Sequence, residues 1–275
     1  MTAKNVKKTA SLVTDRRELS AFFQGLVQTD FPMPTFSRNG KLPVFYYDSS
    51  SYALLLSAST RRVRELLPHP AMHPLEIMPG RALVALNAFQ YRDSDIDPYH
   101  EFSISFPITF AQRSVPGLGV LRRWAQGCFE SYVWQLPVTT EIARWGGVEL
   151  YGYPKFVADI DFRRDAAGVR CDLALDGRPI LSLQGEHLAA LKAQAPMRYK
   201  TYSLKNGLPM CANILVNPLA FAQTLRSRAA SLTLNAGHPI ADTLLGLDLG
   251  QRPLLYQYCP RQELVLFAPR NLVDN

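Results

Sequence analysis

The chain has 275 residues, 47% hydrophobic and 19% charged, with a formal net charge of +7 at pH 7. That length and apolar fraction suit a soluble globular protein with a sizeable core, and no run of 18 apolar residues is present to cross a membrane as a helix. The positive charges are dispersed, with short clusters such as 61–64, 122–123 and 163–164 and no recognition motif beside them. No nucleic-acid partner is therefore expected, although a positive field draws anionic small molecules toward a pocket.

The basic N-terminus MTAKNVKKTASLVTDRR lacks an apolar h-region, so it reads as a tail and not as a secretory signal. Asp15 and Glu18 form a D-x-x-E capping signal ahead of LSAFFQGLVQ, predicting an amphipathic helix that completes an N-terminal segment over residues 1–30. FPMPTFSRNGKLP is proline-rich and reads as an extended connection or loop. Residues 44–58 resemble a pair of strands, and Thr60 to Leu67 a short helix ended by Pro68. His69 and His73 stand four apart, the helical spacing of metal ligands, but two prolines break that helix and no metal is assigned.

From Arg81 the pattern becomes β. RALVALNAFQY is a long apolar run, and EFSISFPITF alternates, with Phe102, Ile104, Phe106, Ile108 and Phe110 on one face. Glu101, Ser103, Ser105 and Thr109 take the other face. In a small barrel one face packs outward and the other lines the interior, which would aim Glu101 into a pocket; in an open sheet the same face is solvated. His100-Glu101 begins an HExxH pattern that Ile104 breaks. VPGLGVLRRW carries two of the three glycines of a dinucleotide fingerprint, with Arg122 in place of the third, so it reads as a loop and no cofactor is expected.

CFESYVWQLPV is a further strand. FVADIDF and VRCDLAL alternate around RRDAAG as a hairpin. Residues 182–196 include a short helical stretch, and MRYKTYSLKNGLPMCANILV forms a hairpin turning at Asn206-Gly207. Asn217 with Pro218 behind it reads as the start of a helix through PLAFAQTLRSRAA, HPIADTLLGL as another, and ELVLF as a closing strand. The four cysteines lie 40 or more residues apart with no CxxC pair, so reduced thiols in a cytoplasmic protein are expected. Many short strands with few helices give a β-rich α+β fold over residues 1–275 as a single domain, not a βαβ series.

Within GGVELYGYPKFVADIDF, Lys155 stands between Pro154 and Phe156, with Tyr151 and Tyr153 upstream. An amine attacks a carbonyl only when neutral, and a free lysine is almost wholly protonated at pH 7. Rigid, aromatic and buried surroundings disfavour the charged form and suit a Schiff-base lysine. The same residues also suit a surface lysine at a proline turn beside a strand. If the following strand already runs at Lys155, its side chain shares a face with Asp159 and Asp161.

The run VELYGYPKFVADI resembles the Schiff-base lysine segment of the acetoacetate decarboxylases, where a Glu-Leu pair precedes Tyr-Pro-Lys. PLEIMPGRALVALNAFQYRDSDIDPYHEFSISFPITF is similar to the strands before it, and the order of the remaining segments extends the likeness over roughly residues 30 to 270. The resemblance implies an acetoacetate decarboxylase-like closed, cone-shaped β-barrel with peripheral sheet and helices, assembled as a homo-oligomer. It implies imine chemistry on a small keto acid through Lys155, with Glu101 orienting the substrate or moving a proton, and no cofactor or metal. Phe156 replaces the family's second lysine, leaving desolvation to activate the amine. The carboxylate-binding arginine has no counterpart in YYDSSSYALLLSAS, which leaves Arg113 and Arg198 as candidates, and the second active-site glutamate falls at Leu86 or Asn87. Decarboxylation, aldol condensation with dehydration, and a barrel that binds a small molecule without catalysis all remain open at this point.

Overall fold

The computed structural model describes residues 20–273. In chain order the elements are β1 (Thr29–Met33), β2 (Arg38–Leu42), β3 (Val44–Ser59), α1 (Thr60–Glu65), β4 (Met72–Pro74), β5 (Glu76–Met78), β6 (Arg81–Ser94), β7 (Tyr99–Phe110), α2 (Leu118–Gln126) and β8 (Cys128–Gln135). There follow α3 (Glu141–Tyr151), β9 (Asp159–Arg164), β10 (Val169–Leu175), β11 (Arg178–Gly185), β12 (Met197–Lys205), β13 (Leu208–Thr224), β14 (Ala230–Leu234), α4 (Pro239–Gly246), β15 (Leu255–Leu266) and β16 (Arg270–Asn271).

Strands β7, β8, β12, β13, β15, β3 and β6 hydrogen-bond in that order, and β6 pairs back onto β7, which closes the barrel. Every pairing round it is antiparallel except β8 with β12. A second sheet, β14-β11-β10-β9, lies over the outer faces of β3, β6 and β7. The largest apolar cluster fills the space between barrel wall and second sheet. Tyr52, Leu54, Leu86, Phe102, Ile104 and Phe106 meet Ile160, Cys171, Leu173 and Ile180 there, with Ile240 and Leu244 of α4. The alternation in β7 thus sends Phe102 to Ile108 outward into this core and leaves Glu101, Ser103 and Ser105 on the inner face, all buried.

Several elements depart from the sequence expectations, each for a tertiary reason. Residues 44–58 form one long strand, β3, and the proline-rich segment before it forms the β1–β2 hairpin around a single 3-10 turn at Pro34–Phe36. The stretch read as a glycine loop is the start of helix α2, with Gly117 as its N-cap and Gly119 buried inside it, and Gly127 in the left-handed conformation (φ 55°) ends the helix. The predicted helix from Asn217 is instead the second half of β13. It pairs with β15 through register shifts at Pro218 to Ala222, and a bulge is where a strand tolerates proline. Residues 182–196 carry no helix; β11 runs to Gly185 and Lys192 pairs with Phe221. The capping pair Asp15 and Glu18 lies outside the described residues. Of the segment behind it, residues 21–25 are turns closed by bonds such as Phe23 N–H to the Ser20 carbonyl. The Asn206-Gly207 turn has φ of 52° and 78°, the paired positive values that a two-residue hairpin needs.

Candidate active site

Helix α3 places the lysine. Thr140 caps its start by accepting from the Ala143 N–H, and Gly152, at φ 63°, ends it, with its N–H bonded to the Val148 carbonyl. Pro154 then forbids a further turn, and the Lys155 N–H folds back to the Tyr153 carbonyl at 2.8 Å. The segment is pinned to the chain after β8. Val138 N–H donates to the Phe156 carbonyl, and the Val138 carbonyl accepts from Ala158 N–H, both at 2.9 Å. Val138 also bridges Glu101 at the start of β7. One extended tripeptide therefore holds the lysine segment and the glutamate side by side, although 54 residues separate them.

The outcome is a buried pair. Lys155 Nζ donates to Glu101 Oε2 at 2.7 Å, with side chains 6% and 9% exposed. The stem of Lys155 lies along α3, where a Cβ on Gly147 would stand only 2.3 Å from its Cδ. Lys155 precedes β9, so it does not share a face with Asp159 and Asp161, which are exposed. Phe156 turns the opposite way and packs against the core outside the barrel.

Tyrosines enclose the pair. Tyr91 Oη donates to Glu101 Oε1 at 3.3 Å, the Tyr46 and Tyr99 hydroxyls are 3.1 Å apart, and Lys155 Nζ lies 5.5 Å from the Tyr99 ring centroid. Burial raises the hydroxyls of Tyr46, Tyr91 and Tyr99 far above the ordinary phenol range, and the charge of Glu101 raises them further. They stay neutral and keep their protons to donate. Tyr153, raised by burial as well, bonds Thr201 Oγ1 at 2.5 Å. A carboxylate, an amine and neutral hydroxyls buried together can move protons on and off a carbonyl oxygen.

Lys155, Glu101, Tyr46, Tyr91 and Tyr153 line a cavity of ≈ 260 Å³ inside the barrel. Arg113 and Arg198 are exposed and absent from its lining; Arg123 of α2 is the only arginine lining it among the described residues, and it is paired with Glu130 at 3.1 Å. At the position of the family's second glutamate, Leu86 faces the outer core while Asn87 faces the cavity opposite Ser103. The sequence reading named Tyr153 but missed Tyr46, Tyr91, Tyr99 and Gly147. Tyr99 shares strand parity with Glu101, which was the available signal; the close approach of Gly147 had none. Among the described residues no three His, Cys, Asp or Glu side chains gather as a metal site.

A sequence profile described as acetoacetate decarboxylase (ADC) matches residues 32–242. No curated protein matches. Among solved structures, an acetoacetate decarboxylase superposes with TM-score 0.58 at 16% identity, covering 84% of this chain and 89% of that one. The acetoacetate decarboxylase from Legionella pneumophila gives 0.58 at 14%, covering 84% and 87%. The enduracididine biosynthesis enzyme MppR, solved with the condensation product of pyruvate and imidazole 4-carboxaldehyde, gives 0.57 at 14%, covering 84% and 89%. At these identities the likeness is one of fold, and it agrees with the closed barrel described above. With its profile match covering more than half of its length, the chain belongs to the acetoacetate decarboxylase family.

Proposed function

We propose that the protein is a lyase that forms a Schiff base between Lys155 and a keto acid. The observation that carries this reading is the buried 2.7 Å contact of Lys155 Nζ with Glu101 in the lining of the barrel cavity. A lysine and a carboxylate buried as structural groups are costly, and replacing such a pair with apolar residues is often neutral or stabilising. Their retention in the lumen fits a chemical role.

Glu101 takes the proton from the ammonium, and the neutral Nζ adds to the keto carbon. Glu101 and the neighbouring phenols protonate the carbinolamine oxygen, which leaves as water and gives an iminium. In a β-keto acid the bond to the carboxylate then breaks, CO2 departs, and its electron pair forms a C=C bond to the iminium carbon as the C=N pair returns to nitrogen, giving an enamine. Protonation on carbon and addition of water release the ketone and restore the lysine. Decarboxylation needs no further cation, because the iminium is the electron sink.

A second reading uses the same enamine. Attack on an aldehyde instead of a proton gives an aldol adduct, which loses water to a condensation product. MppR, a fold neighbour, has been solved with such a product bound.

The test is borohydride reduction in the presence of acetoacetate or pyruvate. One adduct per chain on the peptide carrying Lys155, absent in Lys155→Arg, is expected. Adducts spread over several lysines, or none from a broad keto-acid panel, would favour a barrel that binds without catalysis.

A further inference from the structure

Resting on that reading of Lys155, we infer that the substrate is a keto acid with an apolar tail of several carbons, which runs from the lysine down the barrel axis.

The lumen is built in layers. Register places Glu101, Phe89, Ser51 and Cys259 side by side on β7, β6, β3 and β15. The next layer is Ser103, Asn87, Ala53 and Gln257, and the one below it Ser105, Ala85, Leu55 and Leu255. All of these line one continuous cavity, which extends on to Pro107, Phe129 and Trp124 at the end covered by α2. From Glu101 to Ser105 is four residues, roughly 13 Å along the strand. The space therefore continues far past the reach of a three- or four-carbon acid held at Lys155.

Exposure follows the same layers. On β3 the outward residues Tyr52, Leu54 and Leu56 are fully buried, while the inward Ser51, Ala53 and Leu55 keep accessible surface. On β6 the outward Val84, Leu86 and Ala88 are buried and the inward Ala85, Asn87 and Phe89 are not. In most barrels of this size the lumen is filled by side chains. Here alanine and serine on three adjacent strands hold it open, and an unfilled apolar cavity costs stability. A ligand with an apolar body recovers that cost.

One buried donor beside the first layer, opposite Ser49 in the layer of Tyr91, is left without a partner. Gln262 is 3% exposed and lines the cavity; its Oε1 accepts from Ser51 Oγ at 3.1 Å, and its Nε2 has no partner. An orphaned buried donor is destabilising until an acceptor arrives. Ser51 lies one strand from Phe89 and two from Glu101, so Gln262 stands across the lumen from the lysine pair. It is placed for the oxygens of a head group attached to Lys155, while the layers below are left for the tail.

The experiment measures borohydride trapping on Lys155 across straight-chain 2-oxo acids from pyruvate to 2-oxooctanoate. Each methylene buried should lower the half-saturating concentration about fourfold, so at least a hundredfold should separate the ends of the series. Ala85→Phe should close the lower lumen and reduce the long-over-short preference at least tenfold; Ala53→Leu serves if that variant does not fold. 2-Octanol, which forms no imine, should raise the thermal midpoint of the wild type by filling the channel. Equal trapping of all chain lengths with no shift from 2-octanol overturns the tail. A shift from 2-octanol with no adduct from any acid overturns the imine reading and retains the apolar channel.

Discussion

Gly147→Ala separates the helix from the lysine it carries. In the middle of a helix, alanine is favoured over glycine by about 0.8–1.0 kcal/mol, so the substitution should strengthen α3. The new Cβ, however, would lie 2.3 Å from Lys155 Cδ and 2.6 Å from Cε. Carbon atoms rest near 3.5–4.0 Å, so the stem has to retreat by about 1.2 Å from the 2.3 Å contact. Nζ then leaves its place beside Glu101, and a displacement of about 1 Å from reacting geometry costs on the order of 10²-fold in rate. Borohydride trapping should fall about a hundredfold, with a thermal midpoint unchanged or raised by about 2–4 °C. Trapping at the wild-type rate would refute the idea that Gly147 sets the position of the lysine. A fall in midpoint would refute the attribution to Lys155 alone.

Glu101→Gln keeps an acceptor for Lys155 but no longer takes its proton, and single-turnover imine formation should slow by roughly 10²–10⁴ with the fold retained; unchanged kinetics would remove Glu101 from the chemistry. Phe156→Lys does not rebuild a lysine pair, because residue 156 faces the outer core. It should cost roughly 2 kcal/mol of apolar burial in a denaturant titration without speeding labelling, and faster labelling would contradict that geometry. Alkaline titration tests the tyrosine cage. The unfolded chain releases phenolic protons near pH 10 while the folded Tyr46, Tyr91 and Tyr99 hold theirs to higher pH, so stability is complete below about 10 and falls above it, by about 1.4 kcal/mol per pH unit for each such tyrosine. The triple Phe variant should flatten that slope in melts between pH 9 and 11, and an unaltered slope would locate the effect elsewhere.

Alternation made β7 legible, because Phe102 to Ile108 and Glu101 to Ser105 separate cleanly by parity. What alternation alone left open was which face a barrel would enclose. Both faces of β7 are buried, one in a packed core and one in a cavity, so burial does not distinguish them; the closing pair β6–β7 does. Local signals failed where long-range pairing overrode them. Asn217-Pro218 has the chemistry of a helix start, yet β15 claims the backbone of β13 on both sides of it. Helix α3 was hidden for the opposite reason. Its Gly146-Gly147 pair lowers helix propensity in a segment whose end signals, Thr140 and Gly152 before Pro154, were present all along.

The lysine itself stood out only through Tyr-Pro-Lys, and the fold shows why those residues belong together. Gly152 and Pro154 stop the helix, Tyr153 bonds to the barrel wall at Thr201, and Lys155, two residues on, enters the lumen beside it. The next residue must leave it, because Val138 holds the backbone extended and successive side chains alternate. A cation at 156 in this chain would sit outside the wall, so under the proposed imine chemistry the groups that act on the amine are those inside. That places the burden on the water-excluding tyrosines and on Glu101. It also frees the lumen from supporting the fold, since the main core lies between barrel and second sheet. Inner residues can then stay small or polar at little structural cost, and the shape of the cavity becomes a record of its ligand more than of the packing that holds the barrel together.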